Sequence, residues 1–184
     1  CSHSHGLWYS TDVMSWTQVT GTTSAYRLNT IYYSNNLWVA GSSSHGLWYS
    51  TDGMNWTQVT AGKDSSFWSV YYSNNLWVAC SNSANGLWYS ADGINWTQVT
   101  GTTSTYSFLS VYYANNLWVA GSVSNGLWYS TDGTNWTQIT ETASTETFSV
   151  VYYANDLWVA CSYGAGLWYS ADGMSWTQAS RGTS

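Results

Sequence analysis

The pentapeptide Gly126-Leu-Trp-Tyr-Ser130 occurs five times in this chain, and its copies begin 40 residues apart. The copies start at Gly6, Gly46, Gly86, Gly126 and Gly166. A repeat of this length is one supersecondary unit, which cannot bury its apolar face without a neighbouring unit. The spacing therefore predicts a single repeat domain over residues 1–184, in which any site that the units share occurs several times.

The composition excludes several classes of protein. The 184 residues include 15 Trp and 16 Tyr, charged residues make up 7%, and the formal net charge is −6. Disordered chains lack aromatics, so we expect a folded domain. Three basic residues cannot form the cationic surface that binds nucleic acids or anionic lipids. No apolar run is long enough to cross a bilayer, and we expect no membrane insertion.

Each unit is predicted to contain four short β-segments, most clearly in the copy around Gly126. These segments are 107–113, 117–122, 126–131 and 135–140. All are rich in aromatic and β-branched residues. Asn115-Asn116 tolerates the left-handed backbone of a tight hairpin, and Asp132-Gly133 has turn chemistry. The unit is therefore predicted to be a four-stranded antiparallel meander, the blade of a β-propeller.

The number of strand copies sets the number of blades. The chain has five copies of the third and fourth segments but four of the first and second. We therefore predict an all-β, five-bladed propeller whose first blade is incomplete. The half-blade covers 1–20, and the full blades cover 21–60, 61–100, 101–140 and 141–184. The alternatives are a β-solenoid and a linear array, which would leave edge strands open at both ends.

The start of the chain leads to two further expectations. The sequence opens at Cys1, within a repeat and without a signal peptide or initiator Met, so we expect a processed product or a fragment. The half-blade lacks two inner strands, and an open apolar edge favours association. We expect either self-association through the half-blade or a missing flanking sequence.

The link between the third and fourth segments resembles a known motif. Ser50 to Trp56 has the pattern S-x-D-G-x-x-W, which recurs from Ser90, Ser130 and Ser170. The pattern resembles the Asp-box, or neuraminidase repeat, which has one more residue between Asp and Gly and lies on that turn in propeller blades. The wider repeat is similar to arrays in bacterial surface and phage tail proteins. The resemblance implies a structural turn role for Asp12, Asp52, Asp92, Asp132 and Asp172. In the first unit Val13 replaces the glycine, so that turn departs from the pattern.

Resemblance to neuraminidases raises the question of catalysis. It would imply three arginines that bind a carboxylate, together with a tyrosine nucleophile and a glutamate partner. The chain has two arginines, Arg27 and Arg181, and two glutamates, Glu141 and Glu146, in one crossing loop. Glycoside hydrolysis also needs two facing carboxylates, whereas the repeated aspartates are spread around the ring. We expect no enzyme, no catalytic residue and no cofactor.

The repeated tryptophans are the candidate ligand-binding residues. Strand alternation places Leu37 and Val39 on one face and Trp38 on the other, while Trp56 and its equivalents are expected in the core. Sugar rings stack on aromatic faces, and amides reach their hydroxyls, so aromatic walls with few polar groups suit a carbohydrate. We predict a multivalent, lectin-like module with glycan-binding pockets between blades. The predicted residues are Trp38, Trp77, Trp118, Trp158, Asn35, Asn74, Asn115 and Asn155.

The alternative is a structural or protein-interaction propeller without a small-molecule ligand. In that case every tryptophan belongs to the core, and contacts fall on the loops that vary between units. These loops are 22–30, 63–69, 103–110 and 142–149. Under either interpretation we expect the protein outside the cell or on a cell or virion surface.

The histidines and cysteines carry weaker signals. Cys1, His3 and His5 alternate, as metal ligands on one strand face would. Other units have Ser, Asn or Ala at such positions, so we expect variable loop residues and no metal site. Cys80 and Cys161 share the repeat position of Cys1 in different blades, too far apart for a disulfide framework. Cys1 and Cys161 alone are expected in blades that meet across the ring closure.

Overall fold

The computed structural model describes residues 6–20, 26–140 and 144–180, whose strands form one two-stranded and four four-stranded sheets. The half-blade contains β1 (Trp8–Tyr9) and β2 (Thr17–Gln18). The first full blade contains β3 (Leu28–Ser34), β4 (Leu37–Ser42), β5 (Leu47–Ser50) and β6 (Thr57–Gln58). The second contains β7 (Phe67–Ser73), β8 (Leu76–Ser81), β9 (Leu87–Ser90) and β10 (Thr97–Gln98).

The last two blades repeat the same order. The third full blade contains β11 (Phe108–Ala114), β12 (Leu117–Ser122), β13 (Leu127–Ser130) and β14 (Thr137–Gln138). The fourth contains β15 (Phe148–Ala154), β16 (Leu157–Ser162), β17 (Gly166–Ser170) and β18 (Thr177–Gln178). A 3-10 helix, Thr102–Thr105, precedes the third full blade. The architecture is the predicted five-bladed β-propeller with an incomplete first blade.

The hairpin between the first two strands of each full blade closes through two residues with positive φ. In the first full blade these are Asn35 (φ 49°) and Asn36 (φ 57°), and the other blades have the same pair or Asn155-Asp156. Two consecutive left-handed residues give a turn whose twist matches that of the strands. Asparagine and aspartate adopt this conformation more readily than other residues with a side chain.

The aspartate turn is held by side-chain hydrogen bonds to its own backbone. Asp52 Oδ1 accepts the Ser50 hydroxyl at 3.0 Å, the Met54 N–H at 2.8 Å and the Asn55 N–H at 2.7 Å. Trp56 Nε1 donates to the Gly53 carbonyl at 2.9 Å. Because this turn extends to the tryptophan, the fourth strand is two residues long. The longer strand predicted for 135–140 is therefore corrected to Thr137–Gln138.

The first copy of this turn forms in spite of its valine. Val13 has a φ of 66°, and its N–H donates to Ser10 Oγ at 2.8 Å. Asp12 Oδ1 accepts the Met14 and Ser15 N–H groups at 2.9 and 2.7 Å. A β-branched residue in this region is strained, so the hydrogen bonds hold Val13 against its own preference.

The hydrophobic core lies between consecutive blades. Leu37, Val39 and Leu47 of the first full blade are buried in one cluster with Phe67 and Trp77 of the second. The first strands β3, β7, β11 and β15 contact one another in order, as innermost strands do. Each of these cores is built from residues of two consecutive blades. A blade face that has no neighbouring blade therefore stays partly exposed.

Cysteine, histidine and membrane features complete the description. Cys80 is buried and Cys161 partly buried, and both are free thiols. Cys1, His3 and His5 lie outside the described residues. Within the described ranges no group of three or more His, Cys, Asp or Glu side chains is placed to hold a metal ion. In the same part of the chain, no helix has the length and apolar character needed to cross a membrane.

Candidate functional site

Three of the four predicted stacking tryptophans have no solvent-accessible surface. Trp77, Trp118 and Trp158 are each 0% exposed, while Trp38 is partly exposed. Tyr32 of the preceding blade packs edge-on against Trp77 with ring centroids 6.2 Å apart. Burial therefore removes these three indoles from the candidate site, because a sugar ring has no free face on which to stack.

The predicted asparagines remain accessible. Asn35, Asn74, Asn115 and Asn155 are all exposed at the tips of the first hairpins. Asn115 Nδ2 donates to the phenolic oxygen of Tyr153 in the next blade at 2.8 Å. The asparagine of one blade and a tyrosine of the following blade thus meet at a junction beside the ends of the innermost strands.

The tyrosines beside these asparagines were not predicted as site residues. The second tyrosine of each Tyr-Tyr pair packs on the tryptophan opposite it, as Tyr113 does on Trp118 at 4.9 Å. The equivalent residues are Tyr33, Tyr72, Tyr113 and Tyr153. Tyr33 is exposed, and the other three are half-buried. The sequence signal that could have identified these tyrosines was the register of the hairpin. Residues directly opposite each other on paired strands share a sheet face, so the tyrosine must lie beside the tryptophan.

A second row of tyrosines connects the innermost strands. Ring centroids are 4.9 Å apart for Tyr32–Tyr71, 4.8 Å for Tyr71–Tyr112 and 4.9 Å for Tyr112–Tyr152. Burial, together with the hydrogen bonds to Tyr112 and Tyr32, raises the pKa of Tyr71 well above its usual value. These rings form a continuous row of aromatic contacts across all four full blades.

An open groove lies between the half-blade and the first full blade. Its volume is about 470 Å³, and its lining includes Trp8, Trp16, Ile31, Trp38 and Met54. Trp8 is 41% exposed, whereas Trp48 at the same repeat position is 3% exposed. The sequence signal for the groove was the strand count, five copies of the third and fourth segments against four of the first and second.

The carboxylates of the repeated aspartates accept hydrogen bonds from the backbone of their own turns. Hydrogen bonds from the Ser15 and Met14 amides and from the Ser10 hydroxyl lower the pKa of Asp12 to about 2. The backbone and side-chain N–H groups of Asn55 lower the pKa of Asp52 still further. Asn55 Nδ2 contacts Asp52 Oδ2 at 2.8 Å, which engages the second oxygen as well. These aspartate carboxylates are ionised and accept hydrogen bonds from N–H groups of their own turns, so their role is to organise the turns.

Neither a protein-family model nor a curated protein sequence matches this chain. Solved structures do match in three dimensions. The extracellular domain of a putative one component system from B. thetaiotaomicron has a TM-score of 0.74 at 12% identity, over 95% of this chain and 25% of that chain. The GH74 enzyme of Niastella koreensis has a TM-score of 0.66 at 24% identity, over 95% and 28% of the two chains.

A third structure, YCF48 bound to D1 peptide, has a TM-score of 0.63 at 18% identity, over 89% of this chain and 56% of that chain. All three proteins are propeller-like. At these identities the likeness establishes the fold alone. This chain spans about a quarter of the length of the first two proteins and just over half of the third.

Proposed function

We propose that this chain is a non-catalytic, multivalent binding module that recognises carbohydrate at junctions between adjacent blades. The proposal rests on one observation: the first hairpin of every full blade carries an exposed asparagine and, two residues before it, an exposed or half-buried tyrosine. At one junction Asn115 and Tyr153 are already in contact across the blade boundary. Aromatic faces with nearby amide groups are what sugar recognition requires.

Multivalency follows from the repeat itself. Four hairpins carry the same tyrosine and asparagine types in the same local conformation. A ligand with several matching sugars would bind successive junctions, and each added contact would benefit from a high effective concentration. Individually weak junctions are therefore sufficient for useful avidity toward a polysaccharide or a glycan-coated surface.

The lack of catalysis is part of the proposal. The turn aspartates are held by backbone and side-chain donors, and Glu146 Oε2 accepts the Ser162 hydroxyl at 2.8 Å. Glu141 lies outside the described residues. Carboxylates committed to structural hydrogen bonds are poor candidates for the paired acid and base of sugar hydrolysis. An extracellular or surface location fits such a module and belongs to the same proposal.

A glycan array followed by calorimetry on the best hit tests this function. We expect binding that weakens by about tenfold in an Asn115→Ala, Tyr153→Ala double variant if the junction of these two residues contributes roughly 1.4 kcal/mol. Tyr163→Ala is the matched control, because Tyr163 is exposed and follows the end of β16 opposite to the hairpin tip. Its affinity should equal that of the unchanged protein.

The rival function is a protein-interaction or structural propeller whose contacts lie on the loops between blades. The similarity in fold to a peptide-bound protein keeps this alternative in view. The carbohydrate proposal would be contradicted if no glycan on the array bound the unchanged protein, or if the double variant bound glycan as tightly as the unchanged protein. Substitutions in loop 63–69 would then be the next to examine for loss of a protein partner.

A further inference from the structure

Two asparagine-glycine sequences lie in the loops that precede the third strands of the second and third full blades. They are Asn85-Gly86 and Asn125-Gly126. Asparagine before glycine is prone to deamidation, because glycine has no Cβ to hinder attack of its backbone nitrogen on the asparagine side chain. His45 and Ala165 occupy the same position in the first and fourth full blades. The second and third blades therefore each carry a reactive pair that these other two blades lack.

The glycine nitrogen of each pair is held by the next blade. Gly126 donates its N–H to the Glu146 carbonyl at 2.9 Å, and Gly86 donates to the Tyr106 carbonyl at 3.0 Å. Both acceptors lie two residues before the innermost strand of the following blade. A Cβ built on Gly86 would clash with the backbone of Thr103, so this nitrogen is also enclosed. While the junction is closed, the nitrogen that would attack is engaged as a donor.

The asparagine itself is also held. Asn125 Nδ2 donates to the Val123 carbonyl at 2.9 Å, and Asn85 Nδ2 donates to Ser65 Oγ at 3.2 Å. The backbone carbonyl of Asn125 accepts Gln138 Nε2 at 2.9 Å. Ring closure requires the side-chain Cγ to reach the glycine nitrogen and the peptide plane to turn. These hydrogen bonds oppose both movements.

We propose that Asn85 and Asn125 are latent deamidation sites, which the closed blade junctions keep unreactive and which react when their junction opens. In the open state the Gly126 nitrogen loses its proton to solvent and attacks Asn125 Cγ. The side-chain nitrogen takes a proton from water and leaves as ammonia. A second water molecule then opens the succinimide to aspartate or isoaspartate. This modification is independent of the carbohydrate proposal, which concerns the hairpin tips.

The modification works in one direction, because ammonia is lost. Either product at Asn125 replaces an amide donor by a carboxylate beside the Val123 carbonyl. Isoaspartate also adds a methylene to the main chain before Gly126. The carbonyl that accepts Gln138 Nε2 and the N–H that donates to Glu146 then no longer fit their partners together. A junction that has opened and reacted should therefore close less well.

Peptide mapping by mass spectrometry tests the proposal on the whole chain, incubated at mildly alkaline pH. We expect Asn85 and Asn125 to gain the mass of deamidation about tenfold more slowly in native buffer than in concentrated urea, since reaction in the folded protein requires local opening. Isomerisation of the aspartate-glycine turns leaves the mass unchanged and does not enter this measurement.

A reciprocal pair of variants assigns the reaction to single junctions. Phe148 and Phe108 are fully buried at the same repeat position. Phe148 belongs to the core shared with the third full blade, and Phe108 to the core shared with the second. Phe148→Leu leaves a space in its junction and should speed deamidation of Asn125 several-fold without changing that of Asn85. Phe108→Leu should have the reverse effect.

Hydrogen exchange on the unchanged chain provides a second test if either variant fails to fold. Exchange of the Gly126 amide and deamidation of Asn125 should rise in parallel as urea is added below the unfolding midpoint, because both need the same opening. Equal deamidation rates in native buffer and in concentrated urea would overturn the proposal. Acceleration of both sites by each variant would also overturn it, since the reaction would then follow global unfolding.

Discussion

The same residue type at the same repeat position has different surroundings along this chain, and the preceding blade decides which. Trp77, Trp118 and Trp158 are sealed by a leucine and a tyrosine of the preceding blade, while Trp38 has neither in the described residues. The buried Nε1 groups of the three sealed tryptophans have no hydrogen-bond partner. Leaving a buried donor unpaired costs about 1–3 kcal/mol, so the packing of these indoles must outweigh that cost.

Val13→Gly should stabilise the first aspartate turn. A non-glycine residue in the left-handed region costs about 1–2 kcal/mol, whereas the added backbone entropy of glycine costs about 0.5–1 kcal/mol. Val13 is exposed, so no packing is lost. We expect stronger hydrogen-exchange protection at the Met14 and Ser15 amides. Gly53→Val is the reciprocal control and should weaken its turn; unchanged protection in both variants would contradict the argument.

The two described cysteines should differ in reactivity. Burial raises the pKa of the Cys80 thiol, and the side chain has no exposed surface. The thiolate is the reactive form, so Cys80 should resist iodoacetamide in the folded protein. Cys161, at the same repeat position in the last blade, is only partly buried and should be alkylated faster. Peptide mass spectrometry after timed labelling distinguishes them, and equal rates in native buffer would refute this prediction.

At the scale of the element, the aspartate turn is a self-contained unit whose bonds all lie within seven residues. Serine hydroxyl, aspartate carboxylate and tryptophan N–H repeat their partners in every unit, as in Asp132 with Thr134 and Asn135. Such local bonds explain why the half-blade keeps the turn although its sheet is incomplete. The turn needs its own sequence and little else.

Acid should weaken these turns in a defined window. The folded pKa of Asp12 is about 2, below its ordinary value of 3.8, and that of Asp52 is lowered as well. Stability from a lowered pKa is present above the unfolded value and is lost as pH falls toward the folded value. We expect the free energy of unfolding to decline between about pH 4 and pH 2 on account of these groups.

Urea denaturation at a series of pH values measures this decline. Asp132→Asn is the informative variant, because the amide oxygen still accepts the turn N–H groups but cannot ionise. Its stability should depend less steeply on pH below about 4 than that of the unchanged chain. A decline that is equally steep in the variant would assign the acid sensitivity to other carboxylates.

Local features of the fold were predictable from sequence, and features that depend on neighbours were not. The Asn-Asn hairpins and the strands before them follow from residue type, since Asn115 and Asn116 both have the positive φ that their turn requires. The fate of Trp118 could not be read in this way. Alternation places it on a face, but both faces of a blade meet other blades, and residues of the preceding blade such as Leu76 and Tyr71 cover it. The exposure of Trp8 likewise depends on which residues lie beside it and not on its own type.

At the scale of the whole molecule, the two ends of the described blade array expose different surfaces. The half-blade end offers a strand edge and an aromatic groove. The other end exposes the outer face of the fourth full blade, including Leu157, Leu167 and Tyr169. A Cβ built on Gly166 would meet no atom within 4 Å, whereas one on Gly86 would clash with the backbone of Thr103 in the next unit. Stability should therefore vary along the array, as expected for nearest-neighbour coupling.

Leu127 and Leu167 provide the sharpest test of this view, because they occupy the same repeat position in adjacent blades. Leu127 is 0% exposed against the fourth full blade, while Leu167 is 52% exposed. Truncation of a fully buried leucine costs about 2–5 kcal/mol, and substitutions at exposed positions usually change stability by about 0.5 kcal/mol or less. Leu127→Ala should lower the urea midpoint strongly and Leu167→Ala should barely move it. Equal losses would mean that the outer face of the last blade is covered in solution, and an oligomer in sedimentation equilibrium would then identify a second copy as the cover.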